Sequence, residues 1–346
     1  MARRPSDRKR VEELLDRFEP QVKAAFLDAI DELRNGVDLK ALIQALESGN
    51  IDAALRAAHI EGAAYSGLRR MIETVYITAG KDAVSALPAL ADWTGMKVGI
   101  RFDPDYPRAA EWVRQHSATM ITRIVEDQRQ SVRNALSEGL TKGTNPRTVA
   151  LDIAGRVNPR TGKRENGILG LTDSQRQFVA NAREELSSGV PDQMNNYFTR
   201  QARDRRFDAA VRKAIAEERP VDAETLAKIT GRYHDSLLKM RADMIARTET
   251  TQATSAARRE AWRQTTEAAG VDDAAIERTW HATHDHRTRE SHRAMDQQKV
   301  IGLDSAFTSP SGAQLRYPGD PMAPLSEIIQ CRCVETMRIR LRGRPE

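Results

Sequence analysis

Glu267-Ala-Ala-Gly270-Val-Asp-Asp273, followed a few residues later by Trp280-His-Ala-Thr-His-Asp285-His-Arg-Thr-Arg289-Glu-Ser-His292, marks the point where this chain changes character. Upstream of Gly270, helical spacing runs almost unbroken from Ala223, and glycine supplies the stop. Downstream the periodicity disappears. His281, His284, His286 and His292 crowd together there with both cysteines of the chain, Cys331 and Cys333. This break predicts a mainly α protein: an elongated helical body with a small α+β C-terminal domain, open to clamping by a metal. The expected segments are 1–107, an N-terminal helical region with a hinge; 108–270, the helical body; and 271–346, the compact C-terminal domain with a basic tail.

Apolar residues at Val11, Leu14, Leu15, Phe18, Val22, Phe26, Ala29, Ile30 and Leu33 recur at the spacing of one helical face. Pro20 is expected to divide or bend that helix. Asp38 is placed to cap a second helix, and Asp52 to open a third long segment reaching Val75. Residues 79–107, rich in Gly and Pro and containing Val98-Gly-Ile-Arg-Phe102, read as a hinge with a short strand or an extended linker. A helix follows from about Met120 to Leu136, and Thr148–Val157 resumes the pattern. Residues 158–171 read as an exposed loop. Thr172 with Gln175 has the form of a capping box opening the next helix.

With 54 basic and 49 acidic residues the net charge is only +5, which is not the profile of a protein that coats DNA. Basic residues are denser at Arg3–Arg10, Arg200–Arg206 and Arg338–Arg344. Solvated helix surface explains them more simply than phosphate binding does. No apolar run reaches membrane-spanning length, and the opening MARRPSDRKR lacks the apolar stretch of a signal peptide. The expectation is therefore no membrane partner, and a protein made and kept in the cytoplasm. In that reducing setting Cys331 and Cys333, one residue apart, are idle thiols or metal ligands.

A domain of about 75 residues gains from cross-linking, because its apolar core is small. Cys331, Cys333 and His292, completed by Asp285, His284 or His286, would suit zinc. Idle thiols with hydrogen-bonded histidines are the commoner outcome for Cys-x-Cys, and both readings stay open. Asp285 and Arg289 have the spacing of a helical ion pair. Trp280 reads as a core anchor. Tyr317-Pro-Gly-Asp320 reads as a turn. Arg247 and Glu249 sit near the end of the long helix, where an Arg suits a structural lock onto the C-terminal domain.

Taken together, Ile245-Ala-Arg247-Thr248-Glu249-Thr250, Trp280, Asp285-x-x-x-Arg289-x-x-His292, Pro318-Gly319-Asp320 and Cys331-Arg-Cys333 resemble the Mu F-like phage head-morphogenesis family in order and spacing. Leu140-Thr-Lys-Gly143-Thr-Asn-Pro146 and Gly167-Ile-Leu-Gly-Leu-Thr172 extend the likeness over roughly 109–340. One departure is Gln330, where many members of that family have Asn. The resemblance implies a minor head protein of a tailed bacteriophage, located in the virion. Its partners would be the portal protein, the major capsid or scaffolding protein, and packaged double-stranded DNA.

No P-loop, dinucleotide turn, catalytic triad or His-Glu-x-x-His helix occurs in the sequence, so an enzyme is not expected. The alternative is a metal-dependent nuclease or toxin-like module using His281, His284, His286, His292, Asp285 and Asp320. A helical protein that guides the genome is a third reading.

Overall fold

A computed structural model describes residues 5–87 and 99–340. The chain is mainly α. Its helices are α1 (Asp7–Gly36), α2 (Leu39–Glu47), α3 (Ile51–Ala57), α4 (Ser66–Ala86), α5 (Pro107–Thr141) and α6 (Pro146–Ala154), then a hairpin of β1 (Arg156–Val157) and β2 (Arg164–Glu165). α7 (Asp173–Ser187), α8 (Pro191–Asn195), α9 (Asp208–Ala216) and the long α10 (Ala223–Ala269) follow. The C-terminal module adds β3 (Ile276–His281), α11 (Glu290–Ala294), β4 (Lys299–Ile301), β5 (Phe307–Thr308), β6 (Gln314–Leu315), α12 (Leu325–Ile328) and β7 (Val334–Ile339).

These elements form two compact units that are discontinuous in sequence. One comprises Met1–Ala25, Gly67–Thr119 and Asp243–Glu346; the other comprises Phe26–Ser66 and Met120–Ala242. The sequence pointed instead to consecutive segments divided at 107 and 270. The difference arises because α1, α5 and α10 each contribute residues to both units. Periodicity reports that a helix continues, not which core each of its turns enters.

In the unit of residues 26–66 and 120–242, α2 packs on α3 and α6. Asp38 and Asn50 accept the hydrogen bonds that cap α2 and α3. The expected long third segment is broken after α3, where His59 takes a positive φ of 48°. Thr172 and Gln175 form the capping box of α7, each accepting the other's backbone N–H at 3.2 Å.

The segment 158–171 is not wholly an exposed loop, since Leu169 and Leu171 are fully buried. Buried carbonyls need donors, and the neighbouring helices supply them. Arg34 donates to Gly167 and Leu169, and Arg241 to Gly170 at 3.0 Å. Gln128 donates to Leu171 at 2.9 Å and accepts from the Gly170 N–H. Gly170 itself has φ 101° and lies against Leu238 and Ile30, which only glycine permits.

In the other unit, α1 is not divided at Pro20. Pro20 and Asp16, whose carbonyl loses its usual donor, are both exposed, so water can take the missing bond. Of the expected hinge, 79–86 belongs to α4, and 88–98 lie outside the described residues; Gly99 to Phe102 form no strand. Phe102 is buried against Gly80 and Tyr76.

The C-terminal module is built on an antiparallel sheet of order β4-β3-β7, in which Trp280 pairs with Glu335 and Arg278 with Met337. Trp262 of α10 packs on this sheet with Ile276, Leu303 and Met337, while Val11 and Leu15 of α1 pack on Val334. The module's own core gathers Trp280, Met295, Phe307, Leu315, Ile328, Cys331 and Cys333.

Candidate metal centre

His292 lies on α11, whose single turn directs the imidazole inward to 1% exposure beside Trp280. Cys331 and Cys333 come from the segment between α12 and β7. Gln330, in the left-handed region at φ 56°, makes the backbone turn that lets both thiols face one side. His292 Nδ1 stands 3.6 Å from Cys331 Sγ and 3.4 Å from Cys333 Sγ. All three donor atoms lie within 4.8 Å of one another and are buried.

This donor set fits a metal. Zinc held at about 2.3 Å by sulfur and about 2.0–2.1 Å by nitrogen, at tetrahedral angles, sets sulfur and nitrogen about 3.6 Å apart. Hydrogen bonding alone serves the group less well, because the imidazole lone pair can accept from one thiol only and the other must donate to sulfur, a weak acceptor. The two thiols also perturb each other. Hydrogen bonding from Cys333, opposed by burial and helped by His292, makes Cys331 the easier of the two to ionise. The hydrogen bond to Cys331, with burial and the Cys331 charge, holds the proton on Cys333.

Behind the imidazole, Glu327 of α12 brings Oε2 to 3.1 Å from His292 Nε2, although the alignment falls short of a full hydrogen bond. Burial raises the Glu327 carboxyl, but hydrogen bonds from Ser291 and Ser311 and the nearby His292 bring it below its ordinary value. A carboxylate on the far nitrogen is the usual way to aim the near nitrogen of a metal-bound histidine. Helix α10 pins the same loop from the other side. Thr248 Oγ1 accepts the Gln330 N–H at 3.0 Å, and Thr251 Oγ1 donates to the Cys331 carbonyl at 3.3 Å.

Of the four metal ligands expected from the sequence, the structure brings together His292, Cys331 and Cys333 and places Asp285 elsewhere. Asp285 accepts from Arg332 Nη2 at 2.6 Å and from the Arg287 N–H, and the Arg332 bond holds its carboxyl far below the ordinary range. The expected Asp285–Arg289 ion pair is absent as well. Residues 282–289 are not helical, so a spacing of four does not put them on one face; Arg289 instead donates to the Ile329 carbonyl.

Arg247 pairs with Glu19 of α1 at 3.1 Å, not with the C-terminal module, and Glu249 meets His116 of α5 at 2.7 Å. Helix α10 instead reaches the module through the neighbouring Thr248 and Thr251 and, further along, through Arg259 and Arg263 at Leu303 and Asp304. Trp280 is fully buried. Asp320 is 1% exposed and accepts from the Arg316 guanidinium at 2.7 and 2.8 Å and from two backbone N–H groups. It thereby fixes the turn at Gly319, whose φ is 81°.

Glu327, Thr248 and Thr251 went unread in the sequence as functional positions. A signal existed for each. Glu327 stands one helical turn before Cys331, and the two threonines share a face of α10 at a spacing of three.

The acids and histidines of the nuclease alternative do not converge. His281 bonds Thr336, His284 meets Asp296, His286 is exposed, and Asp320 is held by Arg316. Among the described residues, basic side chains of the three denser stretches also face carboxylates: Arg10 with Asp82, Arg200 with Glu185, Arg203 with Asp208, and Arg338 with Glu277. No helix among the described residues is long and apolar enough to cross a membrane.

No curated protein and no solved structure matches the chain. The family model described as Phage Mu protein F like protein matches residues 130–336, more than half of the chain, from within α5 through the His292, Cys331 and Cys333 group. By that match the chain belongs to the Mu F-like family of phage head-morphogenesis proteins.

Proposed function

We propose that this protein is a structural minor component of a tailed-phage head, placed at the portal vertex or on the inner capsid wall during assembly, with no reaction of its own. The family match carries this reading. It is supported by the way the module spends its polar chemistry on itself. Arg278 and Glu335, Arg332 and Asp285, and Arg316 and Asp320 are each paired within the module. Side chains so engaged serve shape rather than turnover. The portal protein is the primary partner, with major capsid or scaffolding protein and packaged DNA as further contacts.

Within this role His292, Cys331 and Cys333 bind zinc as a clamp, tying α11 to the strand that ends the module. Zinc is the metal that two thiolates and an imidazole suit best. Glu327 orients the imidazole for it.

Cross-linking of assembling heads, followed by capture of this chain, tests the placement. Cross-links to the portal protein are expected. Purified heads that lack the chain would defeat the structural reading, as would metal-dependent plasmid nicking that is lost in both His292→Ala and Asp285→Ala.

A further inference from the structure

With zinc bound in the clamp, one of its four coordination positions has no protein donor, and any exchangeable ligand there rests on the presence of that zinc. Among the described residues no fourth cysteine, histidine or carboxylate joins the group. Glu327 stands behind the imidazole at Nε2, and Asp285 is held by Arg332.

What adjoins the group is a cavity of ≈ 10 Å³ walled by His292, Cys333, Thr283, Thr288, Arg289 and Arg332, among others. That volume is about one solvent molecule. Two of the three ligand residues, His292 and Cys333, form part of its wall. The remaining wall carries hydroxyls, guanidiniums and Gln330, none of them among the usual zinc ligands. Their own bonds fix them in place: Thr283 Oγ1 donates to the Arg332 carbonyl at 2.7 Å, Thr288 to the Thr283 carbonyl, and Arg332 to Asp285.

We infer that a solvent molecule held in this cavity completes the coordination, so that the centre has three protein ligands and one exchangeable ligand. The guanidinium-bearing wall favours water, hydroxide or a small anion there over a cation. No carboxylate lines the cavity.

Cobalt(II) substituted into the full-length chain tests this by optical absorption and by electron paramagnetic resonance in water enriched in oxygen-17. Thiolate-to-cobalt charge-transfer bands together with oxygen-17 broadening are expected. Broadening should vanish in Thr288→Leu, which fills the cavity, while the thiolate bands remain. Thiolate bands without broadening in the unmodified chain would overturn the solvent ligand and leave the clamp standing. Broadening that persists in Thr288→Leu would put the solvent elsewhere and overturn the assignment to this cavity. Absence of thiolate bands would overturn the zinc itself, and the solvent ligand with it.

Discussion

The unit of residues 26–66 and 120–242 and the C-terminal module both bury charged side chains, but for different purposes. In the first, Arg34, Gln128 and Arg241 reach backbone carbonyls of the 167–171 segment, inside a core supplied by helix faces such as Leu42, Leu136, Val149 and Ile153. In the module, buried groups meet one another. Arg278, at 0% exposure, pairs with Glu335 at 2% and also donates to the Gly302 carbonyl, while His292 meets two thiols. Helices close their own backbone bonds and can devote whole faces to apolar packing. A small module with short strands has less apolar area and relies on polar cross-links.

The largest effect is expected from the metal. Cys333→Ser or His292→Ala should reduce bound zinc from about one per chain to near none. Hydrogen exchange should then show lost protection in β3 and β7 but not in α2 and α6, and a chelator added to the unmodified chain should do the same. Equal loss in α2 and α6 would erase the contrast between the two regions.

Next comes the buried pair. Arg278→Leu strands the Glu335 charge and should cost ~3–5 kcal/mol in chemical denaturation. A comparable ~2–5 kcal/mol is expected for Leu42→Ala, through a cavity in the helical unit. Adding Glu335→Leu to Arg278→Leu should recover part of the loss, and no second substitution should rescue Leu42→Ala. Without recovery, the module is not held by that pair.

Asp320→Asn should cost ~1–3 kcal/mol at neutral pH, because Arg316 loses its carboxylate. Burial raises this carboxyl, but Arg316 and the backbone N–H groups leave it below its ordinary value. A folded pKa below the unfolded one stabilises fully above the ordinary carboxylate range, about pH 4, and that stabilisation fades as pH falls through the lower folded value. The gap between the two proteins should therefore be constant near neutrality and narrow below about pH 4. A gap that does not vary with pH would assign Asp320 a purely steric role.

The smallest effect is a gain. Gln330 occupies the left-handed region, where Asn is better tolerated, so Gln330→Asn should stabilise by ~0.5 kcal/mol without altering zinc content. The structure makes backbone conformation the relevant difference, since it is the Gln330 N–H that bonds Thr248.

Amino-acid order alone determined the mainly helical character of the chain, the capping box at Thr172, the stop at Gly270 and the α+β character of the residues beyond it. These rest on periodicity and on bonds between residues within one turn of each other, which spacing encodes directly. Tertiary structure decided which donors meet. His292 and the Cys331-Cys333 pair are about 40 residues apart, and their meeting depends on β3 pairing with β7 and on a left-handed residue at 330. Asp285 was drawn away by Arg332, a partner that no local spacing reveals. Long-range ion pairs and metal sites are fixed by how separate elements pack, and for that the sequence supplies the residue types but not the distances.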